Sequence, residues 1–304
     1  MRASFFDMLV DLSKDRDDLF VLTADLGFKL FDTFKSQCSD RFYDVGVAEA
    51  NMIGIAAGLS LTGRNVFCYS IIPFLVMRAY EQIRIDIAYH NLNVKLVGVG
   101  GGFTYGMEGI THFGLEDLAL MRSLQNMSIV VPADLWEARK LARIACDYPG
   151  PLYIRLGRTG EPQIHEAEPA FEIGKPMILR DGKQIALICL GNMVHIGLQV
   201  ADLLQSRGLS ATLVNMHTLK PVDAGFIRQL AGAHEWVFTL EEHNVHGGIG
   251  SLVAEVLIES SYRGSFKRFG IPDLEKVMGN ADYLRAYYGL TTEKIAERIL
   301  TLLH

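Results

Sequence analysis

Four cysteines, Cys38, Cys68, Cys146 and Cys189, are all that 304 residues contain, and they lie far apart in mostly apolar stretches. Neither a CxxC pair nor a disulfide framework can be written from them, so a reducing cytoplasm is the expected setting. A basic stripe is lacking too: 29 Lys and Arg stand against 35 Asp and Glu, scattered along the chain, for a net charge of -6. Phosphate backbones and anionic lipid both require clustered positive charge, so no nucleic acid and no membrane partner is expected. The longest stretch free of charge, residues 185–201, is interrupted by Gly191, Asn192, His195 and Gln199, and reads as strand, turn and helix start rather than a membrane span. MRASFFDMLVDLSKDRDD, at the N-terminus, lacks the apolar core and cleavage site of a secretory signal, and no export is expected. No GxSxG elbow, P-loop or zinc pattern occurs, which removes the usual support for hydrolase and NTPase readings.

What is present is an alternation. With 49% of its residues hydrophobic, the chain is long enough for two domain cores. Short apolar runs at Phe20–Thr23, Val66–Tyr69, Val94–Val99, Ser128–Val131 and Leu152–Ile154 read as buried strands. Helical spacing lies between them at Ala50–Leu61, Val76–His90 and Leu135–Asp147, the last opened by Asp134 as an N-cap. The segment TGEPQIHEAEPAFEIGKP interrupts any period, and a second alternation follows it. Its strands are expected at Gln184–Leu190, Ala211–Asn215 and Trp236–Leu240, its helices at His195–Arg207 and Ile249–Ser260. The expected fold is α/β, two doubly wound domains over residues 1–165 and 179–304, the first with a mainly parallel sheet, joined by a linker at 166–178.

Two motifs invite chemistry and fall short of it. GVGGGFTYGMEG, residues 98–109, does not keep the G-x-G-x-x-G spacing, and no acidic residue follows to hold a ribose. It reads instead as a strand-to-loop passage where backbone approaches something closely. Glu241, Glu242, His243 and His246 follow a strand, but not in HExxH order, and read as a loop at a domain or subunit contact.

RFYDVGVAEANMIGIAAGLSLTGRNVF, residues 41–67, is more informative. Glu49 stands where a strand-like run meets a helix of Ala, Gly, Ile, Leu and Met. A carboxylate there serves equally to stabilise the helix N-terminus or to hold a ligand. The small residues Ala48, Ala50, Gly54, Ala56, Ala57 and Gly58 admit another backbone, and a carboxylate buried at such a contact needs a partner.

VGVAEANM resembles the (I/V)AEQNM signature of transketolases. The resemblance continues through RAYEQIR (78–84), NVK (93–95), EGITH (108–112) and LEDLALMRSLQNMSIVVPAD (115–134). It extends into the second domain in LEEHNVHGGIGSLVAEVL (240–257) and RFGIPD (268–273). It implies a pyrimidine-binding domain followed by a transketolase C-terminal domain, the chain opening at the first strand of the former. It also implies thiamine diphosphate as cofactor. Glu49 would hydrogen-bond the aminopyrimidine N1′ and favour the imino tautomer that removes the thiazolium C2 proton. Phe74, with Leu75 the nearest alternative alignment, would stack on the pyrimidine, and Asp25 would lie against the cofactor.

On the substrate side the resemblance implies His112 at the reacting donor oxygen and Arg158 on a substrate phosphate, with Lys29, Glu108 and Arg2 nearby. The family often has histidine at the position of Gly100, aspartate at that of Glu108 and glutamine at that of Phe113, departures expected in the substrate channel. The family's GDG motif, which with a downstream asparagine holds the diphosphate and a Mg2+ or Ca2+ ion, is absent. An N-terminal partner subunit carrying the pyrophosphate-binding domain is therefore expected, in a heterotetramer. The implied activity is transfer of a two-carbon ketol unit from a ketose to an aldose. Decarboxylation of a 2-oxo acid and a non-catalytic scaffold are the alternatives.

Overall fold

The computed structural model describes residues 1–158, 160–273 and 277–303. Its first half holds β1 (Leu19–Thr23), β2 (Phe42–Asp44), β3 (Asn65–Ile71), β4 (Val94–Val99), β5 (Ser128–Val130) and β6 (Leu152–Leu156). Around them lie α1 (Arg2–Ser13), α2 (Asp32–Gln37), α3 (Glu49–Leu61), α4 (Tyr80–Gln82), α5 (Asp117–Arg122) and α6 (Leu135–Asp147). Every residue of β1, β3, β4 and β6 is buried, the mark of parallel strands covered on both faces. The second half holds β7 (Met177–Arg180), β8 (Ile185–Cys189), β9 (Ala211–Asn215), β10 (Thr218–Lys220), β11 (Trp236–Asn244) and β12 (Ser265–Ile271). Its helices are α7 (Met193–Ser206), α8 (Ala224–Gly232), α9 (Ile249–Glu259), α10 (Ala281–Tyr288) and α11 (Thr292–Leu303).

Two sheets result, ordered β10-β5-β6-β4-β3-β1-β2 and β12-β11-β8-β9-β7. All pairs are parallel except β10 against β5 and β7 against β9. Strand β10 comes from the second half yet borders the first sheet. Strand β7 opens at Met177, within the last two residues of the expected linker, because Met177 pairs with Asn215. Among the described residues, no helix is long and apolar enough to cross a membrane.

Other expectations are corrected by packing. The chain opens on α1 rather than a strand, since Phe5, Phe6 and Leu9 bury against the first sheet, where Phe6 meets Phe31 and Tyr69 edge-on. The helix expected from Val76 is widened at both ends into π-type turns, Pro73–Arg78 and Ile83–Tyr89, around α4. Pro73 suits this start because its missing N–H would have had no helical acceptor there. Strand β11 runs on to Asn244, so Glu241, Glu242 and His243 are buried strand residues, not a loop. Burial is possible because partners await them: Glu241 accepts from the backbone N–H groups of Ile249 and Gly250 at the start of α9, at 2.8 and 2.9 Å.

Helix α6 starts as expected, Asp134 accepting from the N–H of Trp136 and Glu137 at 2.9 Å each. The other Asp134 oxygen accepts from Ile164 and His165, and Glu137 bonds His165 Nε2 at 2.7 Å and Asn215. Asp134, Glu137 and His165 lie close enough to suggest a metal group. These hydrogen bonds make them a knot fastening the connecting segment to both halves.

Helix α3 is apolar over most of its surface, with Asn51 and Ser60 its polar residues after Glu49. Met52, Ile53, Ala56 and Ala57 are buried, while Ala50, Gly54, Ile55, Gly58 and Leu61 remain exposed on the other face.

Candidate active site

Nearly every site residue expected from the sequence follows the carboxyl end of a parallel strand. Asp25 and Lys29 follow β1, Glu49 follows β2, Phe74 follows β3, Glu108 and His112 follow β4, and Arg158 follows β6. Open α/β sheets bind ligands in the crevice at that end.

Glu49 is the first residue of α3 and only 2% exposed. Arg78 Nη1 donates to its Oε2 at 3.1 Å, and Ser70 Oγ donates to its Oε1 at 3.4 Å. The Arg78 guanidinium also lies over the Phe74 ring, 4.3 Å from its centroid. Phe74 also meets His112, ring centroids 5.0 Å apart at 72°. His112 in turn approaches the Tyr105 ring at 6.0 Å and holds Thr111 Oγ1 at 2.9 Å through Nδ1. Tyr105 carries the Arg158 guanidinium at 5.1 Å. Glu49, Arg78, Phe74, His112, Tyr105 and Arg158 thus form one unbroken row.

Arg2 enters from the start of α1 and donates to the Tyr69 hydroxyl at 3.4 Å. Burial pushes that hydroxyl up to about 12 against the pull of Arg2, so it stays neutral. Asp25 and Lys29 are exposed on the loop after β1, both with left-handed backbone, φ 54° and 64°. The Asp25 N–H donates to Asp44, and Lys29 lies beside the Phe28 ring. Both therefore stand apart from the row. Glu108 is likewise exposed, at the end of a short helical turn.

The departures from the family pattern have separate physical reasons. At Gly100 a Cβ would fall 2.4 Å from the Tyr105 ring, and φ is +95°, so that ring fills the space a histidine would need. Phe113 turns inward and packs edge-on to Phe103, which puts this departure in the core rather than the channel. Sequence reasoning missed Arg78 and Tyr105 altogether. The spacing of Arg78 four residues after Phe74 was the one available signal for it.

Residues 1–161 match the family described as "Transketolase, pyrimidine binding domain", and residues 174–295 match "Transketolase, C-terminal domain". The chain is 37% identical over 301 residues to a subunit of the apulose-4-phosphate transketolase of Phocaeicola vulgatus, covering 98% of this chain and 96% of that one. It is 36% identical over 296 residues to the 6-deoxy-6-sulfo-D-fructose transketolase subunit SqwH of a Clostridium species, covering 97% and 92%. A split-gene transketolase solved as an inactive β4 tetramer superposes with a TM-score of 0.88 at 36% identity, covering 99% of this chain and 96% of that one. A 1-deoxy-D-xylulose-5-phosphate synthase of Pelotomaculum thermopropionicum is more distant at 34% identity, and the chain spans just under half of it, 46%. The chain belongs to the transketolase family and carries that family's pyrimidine-binding and C-terminal domains.

Proposed function

We propose that this chain is the pyrimidine-side subunit of a thiamine-diphosphate ketol transferase, active with a second subunit that holds the diphosphate and a Mg2+ or Ca2+ ion. The observation that carries this reading is the position of Arg78. Its planar cation pairs with buried Glu49 and lies over Phe74, the two contacts an aminopyrimidine ring with an N–H donor would make. Glu49 keeps acceptor capacity beyond its bonds to Arg78 and Ser70, so the residues present fit the cofactor ring.

Bound thiamine diphosphate supplies an electron sink for breaking and remaking a carbon–carbon bond beside a carbonyl. The remaining work falls to this chain's side chains. Glu49 accepts the ring's N–H at the buried end of the site, where low dielectric strengthens that hydrogen bond. Phe74 fixes the plane of what stacks on it. His112, held by Thr111, faces the donor's reacting oxygen and moves a proton at its Nε2. Arg158, with Arg2 near the same wall, holds the anionic end of the donor. Glu108 shares the loop of His112 on the donor side, while Asp25 and Lys29 stand beyond the row and take no part in this reading.

The relatives' named substrates, apulose 4-phosphate and 6-deoxy-6-sulfofructose, support a ketose donor outside the standard pentose phosphates. Gly100 and Glu108 alter the same wall, and a site that hydrogen-bonds particular hydroxyls rejects donors that cannot satisfy it. The exposed apolar face of α3 supports close association with another chain, and an inactive tetramer of β subunits in a relative supports the need for a second kind of subunit. A heterotetramer in the cytoplasm, its cysteines reduced, completes the reading. The test is to assay the assembled enzyme with xylulose 5-phosphate, modified ketose phosphates, a sulfonated ketose and pyruvate. Ketol transfer from a ketose is expected. Carbon dioxide release from pyruvate with no turnover of any ketose would move the protein to the decarboxylating branch.

A further inference from the structure

The loop that carries Glu108 and His112 is closed by its own backbone and held by the second half of the chain. Gly102 N–H donates to Gly114 O at 2.9 Å, and Gly114 N–H returns to Gly102 O at 3.2 Å, pinching residues 102–114 at a neck. Glu242, from β11, sits under that neck and is 2% exposed. Its Oε1 accepts from Phe103 N–H at 2.7 Å, so close that a Cβ on Gly102 would fall 2.2 Å from that oxygen. Its Oε2 accepts from Arg285 Nε of α10 at 2.5 Å.

Further contacts repeat the pattern. Tyr288 stacks on Phe103, centroids 5.4 Å apart and planes 11° from parallel. Gly106 lies so near the Gly279 carbonyl that a Cβ would approach it to 2.2 Å. Asn244 N–H donates to Leu115 O at 2.9 Å. A buried carboxylate aimed at a backbone N–H, with a guanidinium behind it, is costly to keep unless its geometry matters.

We infer that Glu242, backed by Arg285, is a positioning residue: it fixes the neck of the 102–114 loop and so sets where His112 stands against the donor. The second half of the chain then acts on the reaction without touching the substrate. This rests on the reading of His112 given above. A misplacement of about 1 Å in such a group is enough to slow a reaction by about a hundredfold.

The test compares E242A and E242Q with wild type by amide hydrogen exchange on the full chain and by kinetics on the assembled enzyme. In E242A, exchange across residues 102–114 is expected to rise by about tenfold or more while α3 and β3 keep their protection. Its kcat/KM for the ketose donor is expected to fall by about tenfold or more, with cofactor C2 proton exchange within about twofold of wild type. E242Q keeps an oxygen for Phe103 but turns an NH2 on Arg285, and a loss of about threefold with partial rescue of loop protection is expected. Should E242A not fold, E242Q carries both measurements alone. Unchanged loop protection overturns the inference, as does donor kcat/KM within about twofold of wild type or an equal loss of C2 exchange. If the wild-type enzyme transfers no ketol unit, the proposed function fails instead, and loop exchange alone decides the positioning.

Discussion

Arg78 Nη1 stands 3.1 Å from Glu49 Oε2, joining a half-exposed cation to a carboxylate that is otherwise sealed from water. The pair satisfies Glu49 without a ligand, at the cost of a competitor for one. R78A is expected to destabilise the isolated chain by about 1–2 kcal/mol, because a buried carboxylate loses its counter-charge. In the assembled enzyme the same change should tighten thiamine diphosphate. Thermal melts and titration calorimetry check both, and weaker cofactor binding in R78A would show that Arg78 aids the ring rather than standing in for it.

E49Q keeps the shape of Glu49 but cannot offer a carboxylate. Folding and assembly should persist while C2 proton exchange on the bound cofactor falls by about a hundredfold or more. Wild-type exchange in assembled E49Q would remove Glu49 from the activating role.

The isolated chain is expected to bind thiamine diphosphate weakly, since it offers the pyrimidine contacts without those to diphosphate and metal. Calorimetry with and without the second subunit measures the difference. Tight magnesium-dependent binding by this chain alone would defeat the two-subunit reading.

H112A should lower turnover of the ketose donor far more than it lowers cofactor affinity, and R158A should raise KM for an anionic donor more than it lowers kcat. Steady-state kinetics on the assembled variants separates the two. Equal effects on cofactor and donor would place His112 on the cofactor side.

Stability should fall in mild acid. Burial holds His217 and His243 down to about 4, below the ordinary imidazole value of 6.5, so the unfolded chain takes up protons that the folded one refuses between those values. Stability therefore rises with pH through that window and declines as pH drops through it. His165 acts in the opposite sense: its hydrogen bond to Glu137 raises it, so its contribution is full below 6.5 and is lost as pH climbs through the raised value. Melting temperatures from pH 7 to 5 test this, with H217N expected to flatten the slope. A flat profile in wild type would contradict it.

The interior strands are legible because parallel strands buried on both faces need continuous apolar runs, as in LFVLT and VKLVGV. Strands β2 and β10, three residues each, carry no such pattern, and β10 exists only through pairing with a segment about ninety residues earlier. Helix α1 is legible as an amphipathic stretch, with Ala3, Asp7 and Asp11 exposed at four-residue spacing and Phe5, Phe6 and Leu9 buried between them, but nothing in that spacing says which sheet it covers. At the site, the small residues after Glu49 announce a buried carboxylate. Its pairing with Arg78 is hidden because it depends on the π-type turns from Pro73, which no periodicity encodes. Glu242 is visible as part of an acid cluster, but its service to the glycine loop needs both halves in place.

Strand β10 leaves the first half's sheet bordered on one side by a strand that belongs to the second half. Severed at the connecting segment, the first half would show the bare backbone of Ser128–Val130, an invitation to pair with any passing strand and a route to insoluble material. Heating should melt the intact chain in one calorimetric step instead of two. Anyone grafting a relative's second half onto this first half would have to match residues 218–220 to β5, because that small splice decides whether the hybrid closes its sheet.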